Sequence, residues 1–362
     1  MGTEKRNLAD TLSQAEQVVS ASDGAPRISG SGNSLALERN LLRWVLEQLG
    51  SAPLKFVLWD GYEVYPREVV PQLTLHVHDR FALWRLISNP EYEFPEMYVQ
   101  GRVTLSESLE STLDTIQQAR RKLHPNSLQR RISSALRRPR SGSLTHAREN
   151  IQSHYDLGND FYRLWLDEQM VYTCAYFPNE QASLEAAQTA KLDLVCRKLW
   201  LKPGEQVVEA GCGWGALALH MARNFGVKVR AFNISKSQLA FARERAANEG
   251  LDDLVEFVEA DYREIEGRYD VFVSVGMLEH VGQHHYRELG QVIDRCLRPY
   301  GRGLIHSIGT DRPGRLNSWI ERRIFPGAQP PSLGEMMPLF EPAGFSVLDV
   351  ENLRLHYALT LR

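Results

Sequence analysis

The chain has 362 residues, of which 43% are hydrophobic and 24% charged, and its formal net charge is −3. That length can bury two hydrophobic cores, and a net charge so close to zero points to no partner by bulk charge alone. The four cysteines show no metal-binding or disulfide spacing, and no apolar run is long enough to predict a transmembrane helix or a signal peptide. We therefore expect a reducing, cytoplasmic setting.

The first part of the chain predicts a disordered segment at 1–34 followed by a small α+β domain at 35–118. The segment is polar and lacks hydrophobic periodicity, so it cannot bury a core. Within the domain, the Asp60-Gly61 pair is a strong hairpin turn signal. The predicted elements are a helix at 35–49, a hairpin at 56–65, a strand at 73–77, a helix at 81–87, a strand near 97–105 and a helix capped by Ser106.

A basic linker is predicted at 119–150. Residues 115–148 contain no acidic residue and many arginines, while prolines and a Ser-Gly-Ser stretch argue against one continuous helix. Each basic residue near an anionic membrane surface contributes about 1 kcal/mol of attraction. Nucleic acid is the rival partner for such a segment. Our expectation is an anionic membrane surface and no nucleic acid.

From residue 151 to 362 strands and helices alternate, which predicts an α/β domain with a doubly wound, Rossmann-like parallel sheet and helices on both faces. In such a sheet the ligand lies at the carboxyl ends of the strands, near the switch point. The predicted strands are 207–208, 228–233, 255–259, 271–275, 303–307 and 346–352, and the predicted helices are 183–199, 216–225, 236–249 and 285–297.

Three glycines, Gly211, Gly213 and Gly215, lie between the strand at 207–208 and the helix that follows. Glycine lets the backbone turn sharply and approach a ligand closely, and the start of the helix offers free N–H groups. The spacing also fits the dinucleotide fingerprint, with Ala216 in its third position. The loop alone therefore leaves a dinucleotide and S-adenosylmethionine open.

Two neighbouring residues favour S-adenosylmethionine. Glu209, just before the first glycine, would repel a pyrophosphate but could face an ammonium or sulfonium group. Asn233 ends the next strand, where an NAD site has an acidic residue for the ribose.

Polar residues follow three further strands, at Asp261-Tyr262, Glu279-His280 and His306, and should meet in one crevice. Aromatic residues are dense at 154–162 and 171–177. They are consistent with plain core, and equally with an apolar pocket whose ring faces attract a cation.

Five segments carry a more specific pattern: HYDLGN at 154–159, YTCAYF at 172–177, EAGCGWG at 209–215, SVGMLEHVG at 274–282 and HSIG at 306–309. In order and spacing they resemble the cyclopropane-fatty-acyl-phospholipid synthase family of the S-adenosylmethionine-dependent methyltransferase superfamily. The resemblance covers about residues 150–362 and implies a class I methyltransferase fold. It also implies S-adenosylmethionine, bound bicarbonate and an unsaturated acyl chain on a membrane phospholipid.

The resemblance implies roles for particular residues. It implies cofactor contacts from Tyr155, Tyr172, Thr173, Gly211, Gly213, Asn233, Gln238 and Tyr262. The charge argument given above adds Glu209 to this set. The bicarbonate site is expected from Cys174, Glu279, His306, Ile308 and Tyr357.

The implied chemistry explains these residue types. An alkene is a weak nucleophile, so placing it in line with a sulfonium methyl lowers the barrier mainly by proximity. The carbocation left on the chain could be stabilised by aromatic faces. Ring closure then needs a base, which bicarbonate could supply while its hydroxyl donates to Glu279 and another oxygen accepts from His306. Cys174 is then a residue of the anion site and not a nucleophile.

Two departures from the family pattern matter. Thr173 stands where many members have Ser, which keeps the hydroxyl. The chain stops at Arg362, where the family usually continues through a helix and a last antiparallel strand, so we expect a truncated and poorly stable chain.

The sequence leaves three alternatives open: an amine methyltransferase, an enzyme that leaves a methyl branch, and a lipid-binding protein with an inactive catalytic domain. The expected location is cytoplasmic and peripheral at the inner membrane surface, and a homodimer is one option.

Overall fold

The computed structural model describes residues 32–48, 52–67, 69–122 and 158–362. The chain forms two compact units, residues 1–139 and 140–362. Most of the segment 1–34 and of the linker 119–150 lies outside the described residues. None of the helices in the described ranges has the length and apolar character needed to span a bilayer.

The N-terminal unit is built on a four-stranded mixed sheet. Its strands are β1 (Leu54–Leu58), β2 (Glu63–Val64), β3 (Leu73–Val77) and β4 (Val103–Leu105), in the order β2-β1-β3-β4. The predicted hairpin at Asp60-Gly61 is confirmed, because β1 and β2 pair antiparallel with Phe56 opposite Val64. In β1 and β3 buried and half-buried residues alternate, as a sheet with one face on the core requires.

Helices cover the core face of this sheet, and two predictions here are wrong. The helices are α1 (Ala36–Gln48), α2 (Arg80–Ser88), α3 (Pro90–Val99) and α4 (Leu109–Lys122). Most of the predicted strand near 97–105 is not a strand, because α3 starts at Pro90, a residue suited to the first turn, and runs to Val99. The last helix starts at Leu109 after Ser108, whose Oγ accepts the Ser111 N–H at 3.1 Å. Ser106 instead accepts the N–H of Thr74 at 3.0 Å.

The C-terminal unit contains a five-stranded parallel sheet with the order β7-β6-β5-β8-β9. The chain builds outward from β5 in one direction and then in the other, so the switch point lies between β5 and β8. The predicted doubly wound class is confirmed. The strands are β5 (Gln206–Ala210), β6 (Lys228–Asn233), β7 (Val255–Glu259), β8 (Tyr269–Val275) and β9 (Leu297–His306).

The two central strands are buried on both faces, so they read as apolar runs without alternation. Val207 and Val208 in β5, and Val271 to Val273 in β8, have no exposed surface. The helices of this unit are α5 (Asn159–Arg163), α6 (Leu184–Lys198), α7 (Ala216–Phe225), α8 (Lys236–Asn248), α9 (Leu278–Val281), α10 (Tyr286–Cys296), α11 (Ser318–Arg323), α12 (Leu333–Phe340) and α13 (Arg354–Leu361).

The predicted strand at 346–352 is wrong. The segment joins no sheet, and Leu348 and Val350 are 82% and 59% exposed. It is tethered by Lys198 of α6, which pairs with Asp349 and, at 2.8 Å, with Glu351. A segment with alternating apolar residues forms a strand only where a neighbouring strand supplies hydrogen bonds. This segment is held by side-chain ion pairs instead.

Candidate active site

The three glycines of the loop between β5 and α7 have different surroundings, although all three have positive φ. A Cβ atom at Gly211 would lie 3.0 Å from Cβ of Met277, and one at Gly215 would lie 2.7 Å from Cζ of Phe257. A Cβ atom at Gly213 would meet no heavy atom within 4 Å. Gly211 and Gly215 therefore serve packing, whereas the Gly213 backbone faces open space where a ligand can approach.

Asn233, the last residue of β6, braces this loop, and Gln238 in the first turn of α8 contacts Asn233. The Asn233 Oδ1 accepts the backbone N–H of Ile234 at 2.8 Å. Its Nδ2 donates to the carbonyl of Gly213 at 3.2 Å and to Oε1 of Gln238 at 2.8 Å. The structure thus places both residues beside Gly213, and it shows that the Asn233 amide supports the loop.

Tyr262 follows β7 in a short 3-10 turn and carries a buried hydroxyl. In the described part of the chain this hydroxyl has no hydrogen-bond partner, and burial raises the pKa of the phenol. The Arg263 guanidinium lies 4.5 Å from the centre of the ring.

Glu209 and Lys191 are both buried, each only 2% exposed, and they influence each other electrostatically without a direct ion pair. Burial raises the pKa of Glu209 to about 8, and the charge of Lys191 opposes that shift. Burial lowers the pKa of Lys191 to about 8 against the pull of Asp167, Cys174 and Glu209. The Glu209 Oε2 is buried and has no hydrogen-bond partner among the described residues. A ligand cation could satisfy it.

Sequence reasoning missed Lys191, although the signal was present. Lys191 lies on the apolar stripe of α6, where its neighbours Ala187, Leu192 and Val195 are buried. A lysine on such a stripe is almost never fully buried without a specific role.

The segment at 172–177 is held from both sides. Gln188 of α6 donates to the Thr173 carbonyl at 2.8 Å. From α13, Thr360 Oγ1 accepts the Ala175 N–H at 3.0 Å, and His356 Nδ1 accepts the Phe177 N–H at 3.0 Å. The backbone that carries Tyr172, Thr173 and Cys174 is therefore fixed by side chains of two helices.

Aromatic rings form a continuous group beside the loop. The Tyr172 ring lies 5.1 Å from Trp165 and 5.5 Å from Tyr162, and the Tyr162 ring lies 5.0 Å from Trp214, inside the loop. This arrangement is consistent with both interpretations of the sequence. Tyr162 is buried, as a core residue would be, whereas Tyr172 is half-buried, as a residue in a pocket wall would be.

Glu279 on α9 is the centre of the expected anion site. It is 4% exposed, and burial raises the pKa of its carboxyl. Ser307 Oγ donates to its Oε2 at 2.8 Å, and the Ile308 N–H approaches its Oε1 at 3.4 Å. The role of Ser307 was not foreseen, although the residue lies in the HSIG segment.

Cys174, His306 and Tyr357 contribute three further groups, each with a shifted pKa. Burial raises the pKa of the Cys174 thiol, which donates to the Ala175 carbonyl at 3.3 Å. Burial lowers the pKa of His306 to about 4, so the imidazole is neutral at pH 7. Burial and the charges of Glu279 and Cys174 raise the pKa of Tyr357.

Tyr357 is influenced electrostatically by Glu279 and Cys174, and His306 by Lys191. In the described ranges no hydrogen bond joins Cys174, His306 or Tyr357 to Glu279. A small anion with several oxygens could bridge such a set. Tyr155, the remaining expected site residue, lies outside the described residues.

The residues fit S-adenosylmethionine on three observations: the open backbone at Gly213, the unpaired Glu209 oxygen and the unpaired Tyr262 hydroxyl. Within the described ranges no three His, Cys, Asp or Glu residues are placed to hold a metal ion. The parallel sheet, the glycine loop at its switch point and these atoms define the class: an S-adenosylmethionine-dependent methyltransferase.

Residues 142–362 match the family model described as mycolic acid cyclopropane synthetase, and the chain belongs to this family. The resemblance found in the sequence is confirmed.

Several relatives of the chain carry names that refer to fatty acids or fatty acyl phospholipids. A probable fatty acid methyltransferase of Pseudomonas putida is 35% identical over 319 residues, covering 85% of this chain and 79% of the relative. A cyclopropane-fatty-acyl-phospholipid synthase of Escherichia coli K12 is 43% identical over 211 residues, or 58% of this chain and 54% of the relative. The chain thus spans about half the length of the E. coli relative. A tuberculostearic acid methyltransferase of Mycobacterium tuberculosis is 33% identical over 354 residues, covering 93% of this chain and 82% of the relative.

Solved structures agree on the fold. A cyclopropane synthase of Mycobacterium tuberculosis aligns with a TM-score of 0.56 at 33% identity, covering 59% of this chain and 80% of that chain. A mycolic acid cyclopropane synthase complexed with SAH and CTAB aligns with a TM-score of 0.55 at 33% identity and the same coverage.

Proposed function

We propose that the chain is a cyclopropane-fatty-acyl-phospholipid synthase. It would transfer a methylene group from S-adenosylmethionine to the cis double bond of an unsaturated phospholipid acyl chain. The observation that carries this proposal is the buried Glu279 site next to the cofactor loop, since Met277, two residues before Glu279, packs against Gly211. Simple methyl transfer to an amine removes no proton from carbon and does not need a base for that purpose.

The protein's part in the first step is to bind and orient. S-adenosylmethionine, when bound, supplies an electrophilic methyl group. The open backbone at Gly213 would admit its amino-acid part, and Glu209, whose buried Oε2 has no partner among the described residues, would face its positive charge. Aromatic rings such as Tyr176, Phe177 and Tyr357 would stabilise positive charge that develops on the acyl chain.

Ring closure requires a proton to leave the added methyl group while the C–H electron pair forms the new carbon–carbon bond. The protein's own groups are poorly suited to take that proton. The pKa of His306 is lowered to about 4, which makes its imidazole a weak base. Both oxygens of Glu279 already accept hydrogen bonds, from Ser307 Oγ and from the Ile308 N–H. Burial raises the pKa of Cys174, which keeps the thiol protonated. Bicarbonate, when bound, would supply the base, held by Glu279, His306 and Tyr357.

A methyl-branched product is the second candidate. Two relatives that cover 85% and 93% of the chain are named as fatty acid methyltransferases. That product shares the methyl transfer and the need for a base, so the same residues would serve it.

The test is the substitution Glu279→Gln combined with control of bicarbonate. Turnover by wild type should fall in bicarbonate-depleted buffer and recover on adding bicarbonate. Glu279→Gln should keep S-adenosylmethionine binding but lose about a hundredfold or more in turnover, because the residue organises general base catalysis. The same substitution at the exposed Glu266 is the matched control. Full activity of Glu279→Gln without bicarbonate, with an amine as the methylated product, would favour the amine methyltransferase.

We also propose that the chain docks on anionic membrane surfaces through the basic segment at 119–150, most of which lies outside the described residues. Added salt should weaken its sedimentation with anionic vesicles by screening. If the amount of protein that sediments with the vesicles does not depend on salt, the segment is only a linker.

A further inference from the structure

Two buried polar residues on α6, Gln188 and Lys191, are one helical turn apart and both contact the segment that carries Thr173. They are 1% and 2% exposed. Gln188 Nε2 donates to the carbonyls of Val171 at 3.2 Å and Thr173 at 2.8 Å. Lys191 Nζ donates to Oγ1 of Thr173 at 2.8 Å. The helix therefore holds Thr173 by both its backbone and its hydroxyl.

The methyl group of Thr173 is fixed as well. A Cβ atom placed on Gly276 would lie 2.6 Å from Thr173 Cγ2, so the methyl occupies the space beside that glycine. With Oγ1 bound to Lys191 and Cγ2 against Gly276, χ1 of Thr173 has one available setting.

The ammonium group determines what the hydroxyl can do. Lysine has three donors and no acceptor, so the Lys191 contact occupies a lone pair of Thr173 Oγ1 and leaves the hydroxyl hydrogen unused. The Thr173 O–H must then donate to a different group. A neutral amide at position 191 could accept that hydrogen instead and reverse the direction of the bond.

Burying Lys191 costs stability. Desolvation of an ammonium group is unfavourable unless it is well paired, and in the described ranges no carboxylate lies within ion-pair distance of Lys191. Asp167 and Glu209 influence it only at longer range. A costly group of this kind is typical of a functional site.

We propose that Lys191 is a positioning residue of the cofactor site: it fixes Thr173 so that the Thr173 hydroxyl donates to an acceptor oxygen of the bound cofactor. This inference rests on the proposed function, which places Thr173 at the cofactor.

A double-substitution cycle with S-adenosylhomocysteine as the probe tests the proposal. Affinity is measured by calorimetry for wild type, Lys191→Met, Thr173→Val and the combined variant. A hydrogen bond that involves a charged group supports about a tenfold or larger loss of affinity for each single substitution. Because Lys191 acts through Thr173, the combined variant should bind no more weakly than Thr173→Val alone. Urea unfolding of Lys191→Met should show unchanged or higher stability.

Val195→Ala, on the same helix face, is the matched control: it should lower stability through lost packing and leave the affinity unchanged. Losses that multiply in the combined variant, or normal affinity in Lys191→Met, would overturn the proposal. If Lys191→Met does not fold, Lys191→Gln enters the same cycle with the same two outcomes. A wild type that binds no S-adenosylhomocysteine would overturn the proposed function together with this inference.

Discussion

At the scale of single residues, Gly213 and Gly215 share a backbone conformation but differ in purpose. Their φ angles are +54° and +84°, so an alanine at either position meets a similar backbone strain of about 1–2 kcal/mol. Gly213→Ala should lose only this amount of unfolding free energy. It should nevertheless bind S-adenosylhomocysteine at least tenfold more weakly, because the new methyl group occupies the space through which the ligand reaches the backbone. Calorimetry that finds normal affinity would contradict this.

Gly215→Ala is the companion variant. Its methyl group would overlap Phe257 and Ala242, whose nearest side-chain atoms lie 2.7 Å and 2.9 Å from where the new Cβ atom must sit. We expect a distinctly larger loss of unfolding free energy than for Gly213→Ala, measured by urea denaturation. Equal losses in the two variants would show that the space around Gly213 is not as open as described.

His280 should make the protein sensitive to acid. Burial lowers its pKa from 6.5 to about 4, so between these values the unfolded chain binds a proton that the folded protein does not. Stability therefore falls as the pH falls from 6.5 to about 4. In His280→Asn the slope of unfolding free energy against pH should drop by up to about one proton in that window. The same substitution at the exposed His284 is the matched control. An unchanged slope in His280→Asn would show that His280 does not cause the sensitivity to acid.

Single residues also show where sequence reasoning stops. Glu209, Gly213 and Asn233 could be predicted because each lies at a strand end, where local pattern fixes position. Lys191 could have been singled out as a lysine on an apolar helix stripe, but its contact with Thr173 could not, and neither could that of Thr360 with Ala175, because these contacts join residues 18 and 185 positions apart. Only the folded chain brings such pairs together.

At the scale of elements, α13 supports the segment at 172–177. The Ala175 N–H, which is completely buried, has Thr360 Oγ1 as its acceptor. Thr360→Val keeps the shape of the side chain and removes the acceptor, so the amide is left unpaired. We expect a loss of about 1–3 kcal/mol in unfolding free energy and faster hydrogen exchange at Ala175. Leu361→Ala alters an exposed side chain of the same helix and should change neither quantity. An unchanged exchange rate of the Ala175 amide in Thr360→Val would show that α13 does not hold this segment.

Several elements of the C-terminal unit were predicted to the residue. The strands at 228–233 and 255–259 and the helix at 216–225 have the predicted bounds. The helix lies between Gly215 and Gly226, and β-branched and aromatic residues recur in both strands. The strands predicted at 97–105 and 346–352 were wrong because an apolar pattern alone is ambiguous. It does not distinguish a short strand from a helix that starts at a proline, and it does not show whether a second strand is present to pair with.

At the scale of the whole molecule, the five parallel strands place five of the expected site residues at one end of the sheet. Gly213 follows β5, Asn233 ends β6, Tyr262 follows β7, Glu279 follows β8, and His306 ends β9. The fold class followed from alternation alone, whereas the acyl substrate came only from the resemblance. No local pattern in the chain specifies an alkene.

The proposed function depends on the identity of the product. The most direct measurement is the mass spectrum of phospholipids from cells that express this chain, compared with cells that express Glu279→Gln. We predict unsaturated acyl chains that gain a single CH2, with ring methylene protons in the NMR spectrum, only with the wild-type sequence. Phospholipids that stay unchanged while wild type binds S-adenosylmethionine and methylates an amine would contradict it.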